Sequence, residues 1–109
     1  MEVIYDEKMP MYDVKITVLK KMKTGEILEE YAAPSVEAEC PAAKEGIAYI
    51  SKGVKMPDDF FCDWAWSDIQ RDVAALTFGG EFPSVKKKGT KISCCTDGLR
   101  PVIFKLERV

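Results

Sequence analysis

Four cysteines carry most of the chemistry open to this chain: Cys40, Cys62 and the adjacent pair Cys94-Cys95. The sequence contains no histidine. That removes the usual general base, the Cys-His nucleophile pair and every histidine-containing metal site. Sulfur is left with three uses. It can ligate a soft metal or cluster (zinc, copper or iron–sulfur), it can act as a redox or nucleophilic thiol, or it can simply pack as a small hydrophobe. The spacing has none of the C-x-x-C pairs that mark a zinc ribbon or a ferredoxin. Any shared site must therefore be assembled by the fold, with Cys40, Cys62 and at least one of Cys94 and Cys95 converging. Asp58, Asp59, Asp63 and Asp68 cluster around a helix start, where capping and solvation account for them without acid–base catalysis. The sequence assigns no reaction.

The paired thiols lie on the shoulder of a hairpin pattern, Lys91 to Leu106. Asp97-Gly98 is a strong signal for a two-residue type I′ turn. That turn would set Cys95 across from Arg100 and Cys94 across from Pro101, and alternation would send the two thiols to opposite faces. A guanidinium facing a thiol favours the reactive, anionic sulfur. Pro101 argues against this register, because it cannot donate to the ladder. A wider loop over Thr96 to Arg100 is the alternative.

The elements that must position these groups read as follows. Tyr12, Val14, Ile16 and Val18 alternate with polar neighbours as a half-buried strand over Tyr12–Leu19. Glu26 to Tyr31 fits a return strand or a short helix. Cys40 precedes Pro41 and is expected to be extended. Gly46 to Ile50 is a further strand. A helix over Asp63–Phe78, capped by Asp63 or Asp59 and closed by Gly79-Gly80, presents Trp66, Ile69, Val73 and Leu76 as its apolar stripe. Four residues before Trp66, Cys62 falls on the same stripe at the first turn, where unpaired amides favour an anion. Asp68, Arg71 and Asp72 form the opposite, solvated face. Trp64 or Trp66 would limit solvent access to the thiols.

The expected architecture is α+β, a small antiparallel sheet of four or five strands with one main helix packed on one face. Residues 1–10 form an N-terminal tail and residues 11–109 a single domain. The expected core is Val14, Ile16, Val18, Ile47, Tyr49, Trp66, Ile69, Val73, Leu76, Ile92, Val102 and Phe104. A length of 109 residues, 47% hydrophobic and 31% charged, suffices to bury about two thirds of the unfolded surface without staples. The net charge of −2 gives no general attraction to nucleic acid or anionic membranes. Lys86-Lys87-Lys88 with Lys91 reads as a solvated loop. No stretch is apolar enough to span a membrane, and Met1 to Pro10 lacks a signal-peptide core. The expectation is a cytoplasmic protein with reduced thiols. Trp64, Trp66, Phe60, Phe61 and Phe82 supply either core rings or an interface for self-association or a protein partner.

Several segments together resemble one family. They are Glu39-Cys40-Pro41, Phe61-Cys62-Asp63-Trp64-Ala65-Trp66 with Asp68-Ile69, Phe78-Gly79-Gly80 with Phe82-Pro83, and the run from Cys94-Cys95-Thr96-Asp97-Gly98 to Arg108. The family is one of small bacterial and archaeal proteins with no assigned activity, and the resemblance covers Asp13 to the C-terminus. It implies a shared role for Cys40, Cys62, Cys94 and Cys95. Ser84 departs from it, standing where such proteins often carry tryptophan after Phe-Pro.

Overall fold

The structure is a computed structural model that describes residues 11–109; the tail expected over residues 1–10 lies outside them. Alternation along Val14–Lys21 builds the first strand, β1, and the remaining elements follow as α1 (Glu26–Tyr31), β2 (Ala48–Ser51), α2 (Asp63–Thr77), β3 (Thr90–Cys94) and β4 (Val102–Arg108). The four strands form one antiparallel sheet in the order β2-β1-β4-β3. This is the small α+β architecture that the patterning predicts, with four strands rather than five. Glu26 to Tyr31 resolves as the short helix, none of whose residues is buried.

One face of the sheet carries the core. Ile16 stands between Tyr49 of β2 and Leu106 of β4, and Val18 lies opposite Phe104. All five are buried, together with Val14 and Val102. Helix α2 covers this face with Ala65, Trp66, Ile69, Val73 and Leu76. Each fully buried aliphatic or aromatic chain here contributes roughly 1.5–3 kcal/mol. Phe60 joins the core end-on to Tyr49, with centroids 5.0 Å apart at 69°.

Two expected core residues are not in the core. Ile47 and Ile92 are both 44% exposed. Ile47 precedes the short edge strand β2, and Ile92 lies opposite Lys105, on the face that α2 leaves open. Alternation identifies two faces of a strand but does not say which one a helix covers. Leu106, Phe60 and Ala43 are core residues that the expected set lacked.

The end of α2 is fastened to the end of the chain. Gly79 adopts φ +88°, and its N–H donates to Leu76 O while that of Gly80 donates to Ala75 O at 2.7 Å, a Schellman closure. Arg108, the last residue of β4, reaches across to donate from Nη1 to Leu76 O (3.2 Å) and Gly80 O (2.6 Å) and from Nη2 to Glu81 Oε1. Glu81 accepts the Gly89 N–H on its other oxygen at 2.8 Å. A cation at a helix C-terminus also suits the helix dipole. The Phe78-Gly79-Gly80 segment and the final arginine thus act together as a structural lock.

Candidate functional site

The β3–β4 connection does not form the two-residue turn. Cys94 pairs with Ile103, and the Cys95 N–H donates to Val102 O at 3.1 Å, so the loop runs from Thr96 to Pro101. The reason lies in Asp97. Its Oδ1 accepts the N–H groups of Leu99 (3.0 Å) and Arg100 (3.2 Å), and Oδ2 meets Arg100 Nε at 3.3 Å. An Asp side chain that caps its own following backbone holds an open loop in place of a tight turn. Pro101, with no N–H to give, lies outside the ladder. Arg100 is therefore not across from Cys95. The residue facing Cys95 is Val102, whose N–H donates to Cys95 Sγ at 3.3 Å. A sulfur atom thus completes the last rung.

Further bonds from two other parts of the chain pin this loop. Thr24 Oγ1 donates to Leu99 O at 2.8 Å, and the Met22 N–H donates to Pro101 O at 2.8 Å. From α2, Asp68 Oδ2 accepts the Thr96 N–H at 2.8 Å, and both Asp68 oxygens accept from Thr96 Oγ1 at 3.0–3.1 Å. Asp68 was expected on a solvated face; instead it ties the helix to the loop beside Cys95. Its spacing on the helix carries no sign of a partner 28 residues away.

Cys62 is the N-cap of α2, in place of the expected Asp63 or Asp59. Its backbone is extended (φ −154°, ψ 118°), and its Sγ accepts the Ala65 N–H at 3.4 Å. A thiol here does what a serine hydroxyl does at other helix starts. The preceding Phe61 packs on Phe104, with centroids 6.1 Å apart at 27°, and separates the core from the space above it.

That space is a cavity of about 400 Å³ lined by Cys40, Phe61, Cys62, Trp64, Ala65, Asp68, Cys95, Thr96, Asp97, Arg100 and Val102. Its volume lies within the range of small-molecule sites, and its wall is mostly apolar with a few polar groups. Cys40, Cys62 and Cys95 border it from three separate parts of the chain, each half-buried. Cys94 does not. It is exposed, on the sheet face with Ile92 and Ile103. Trp64 lies at the rim and is 80% exposed. Trp66, expected to shield the thiols, is a core residue set edge-on to Phe60 and takes no part in the cavity. Ser84 is exposed and also absent from the lining.

Among the described residues, no three cysteine or carboxylate side chains stand together so as to hold a metal ion. The thiols share a cavity without meeting at one point. Two groups with displaced titration lie elsewhere. Glu81 is held below the ordinary carboxylate range by the Gly89 N–H and then by Arg108, and Tyr49 is pushed up by burial and then by the Asp59 carboxylate. No described helix is long and apolar enough to cross a membrane. Neither the family models, nor the curated proteins, nor the solved structures contain a match to this chain.

Proposed function

We propose that the protein is a thiol-centred small-molecule site. The Cys62 sulfur attacks an electrophilic sulfur or carbon of the bound molecule, whose bond to its leaving group breaks as the new bond forms. The leaving group takes the electron pair and the thiol proton passes to solvent. Cys95 is a second thiol bordering the same space. The observation that carries this reading is that both sulfurs accept a backbone N–H, at 3.4 Å and 3.3 Å, while facing one cavity that also contains Arg100. Each sulfur is thereby held at a defined place on the backbone beside the cavity. A reducing compartment, as in the cytoplasm, would keep these thiols available.

Cys94 supplies an internal control, because it is the most exposed of the four and has no part in the cavity. The test is alkylation by iodoacetamide at neutral pH, followed by peptide mass. Cys62 should react faster than Cys94 despite its lower exposure. If Cys94 reacts first while Cys62 and Cys95 remain untouched until the chain is denatured, the reading is wrong. Elemental analysis and an absorption spectrum of protein purified without oxygen test the metal alternative in the same preparation.

A second reading, a self-associating or partner-binding module, rests on different residues. Trp64, Tyr31 and Ile27 are 80%, 73% and 53% exposed, large apolar side chains that a partner could cover. Sedimentation as a monomer at high concentration would remove self-association.

A further inference from the structure

The charged groups around the cavity are not equally occupied. Asp68 has both oxygens engaged by Thr96. Asp97 spends Oδ1 on two backbone amides and Oδ2 on Arg100 Nε. Arg100, whose side chain is 26% exposed, is the exception. Its guanidinium is held only through Nε, and among the described residues its two Nη nitrogens have no hydrogen-bond acceptor. The Asp97 contact fixes the plane of the guanidinium and leaves a pair of parallel donors beside a cavity that contains nucleophilic sulfur.

A planar fork of this kind matches a carboxylate, which it can grip through two parallel N–H···O bonds. The apolar part of the wall, Phe61, Trp64 and Val102, suits a hydrocarbon or aromatic body. Resting on the thiol reading above, we infer that the cavity selects a small organic carboxylate, its anionic end on Arg100 and its electrophilic atom toward Cys62 or Cys95. Selection works at contact range. Arg100, Asp68 and Asp97 together sum to one negative charge, so diffusion of an anion to the site is not accelerated. Without the arginine fork, the two carboxylates would repel the ligand.

Iodoacetate and iodoacetamide test this directly, since they share the reacting carbon and the leaving group and differ in charge. With either, the sulfur–carbon bond forms as the carbon–iodine bond breaks and iodide leaves with the electron pair. The readout is the iodoacetate-to-iodoacetamide rate ratio at Cys62 and Cys95, divided by the same ratio at Cys94 in the same molecule. A bidentate charge-assisted contact should raise that quotient to about tenfold. In Arg100→Gln it should fall to one or below, and Arg100→Lys, which keeps the charge without the fork, should lie between. A measurement on the unsubstituted protein guards against misfolding of the variants: benzoate should slow iodoacetamide labelling of Cys62, and benzamide should not. Cavity thiols that react briskly but with a quotient of one, and equal effects of benzoate and benzamide, would overturn carboxylate selection and leave the thiol reading standing. Cavity thiols inert to both reagents would overturn the two together.

Discussion

Replacing Asp68 with alanine should loosen the cavity far more than it destabilises the protein. The carboxylate accepts the Thr96 N–H at 2.8 Å and the Thr96 hydroxyl at 3.0–3.1 Å. Both contacts are exposed to solvent, so their net contribution is about 1.5–2 kcal/mol together, at the low end for bonds to a charged group. Alanine also favours the helix over aspartate, by about 0.5 kcal/mol. Global unfolding should therefore become easier by only about 1 kcal/mol. Opening of the Thr96–Pro101 loop is a different event, because the helix stays folded and its preference for alanine does not enter. The population of open loop should rise roughly tenfold or more, at 1.4 kcal/mol per factor of ten. Cys95 adjoins that loop, so its alkylation rate should rise by the same factor, while urea unfolding followed by circular dichroism moves little. Asp68→Asn keeps an acceptor for the Thr96 amide and should fall between the two. A Cys95 rate within about twofold of the parent protein, when a tenfold rise is expected, would show that other bonds hold the loop and that this reasoning is mistaken.

Three further outcomes follow from the same geometry. Arg108→Ala should cost about 3 kcal/mol in urea unfolding, because it removes the guanidinium bond to Gly80 O, the second donor to Leu76 O and one of the two partners of Glu81. Since Glu81 is held below its ordinary range, its contribution is present above about pH 4.3 and lost as pH falls through the lowered value; stability of the Arg108 variant should accordingly fall less steeply in acid. Gly80→Ala would set a Cβ 2.8 Å from Ala75 O and should lower stability by roughly 2 kcal/mol or more, since backbone must shift to admit it. Cys62→Ser should retain helix capping and leave the unfolding midpoint near that of the parent while abolishing labelling at that position; Cys62→Ala should lose about 1 kcal/mol as well.

Sequence pattern was a good guide wherever one element's own periodicity decided the outcome. The β1 alternation and the Trp66, Ile69, Val73, Leu76 stripe both point to the buried face that the structure has. It was a poor guide where a side chain from elsewhere intervenes. Asp97-Gly98 carries the composition of a tight turn, yet the Asp97 carboxylate closes on its own downstream amides and opens the loop. Ile92 looks like a core residue because a strand's two faces are equivalent until a helix covers one of them, and Ile47 because its pattern continues past the point where the short strand β2 begins. The chain identifies the four thiols, and alternation already sends Cys94 and Cys95 to opposite faces, but nothing local says which of those faces borders a cavity. Their division across the sheet follows from strand pairing at Cys94–Ile103 and from the Cys95–Val102 rung. Asp68 and Arg108 hold partners 28 and 32 residues away, beyond the reach of any periodic pattern.

The two amides that rest on sulfur, Ala65 and Val102, tie the chemistry of the thiols to the backbone's own integrity. Any group that bonds covalently to Cys62 or Cys95 crowds the sulfur and turns it relative to its amide donor. One adduct would fray the first turn of α2, and the other would unzip the rung where β3 and β4 begin to pair. Occupancy would then be recorded in the main chain itself. Deuterium uptake at those two positions, with Ile69 and Phe104 as unmoved references, would report it without any knowledge of the natural ligand.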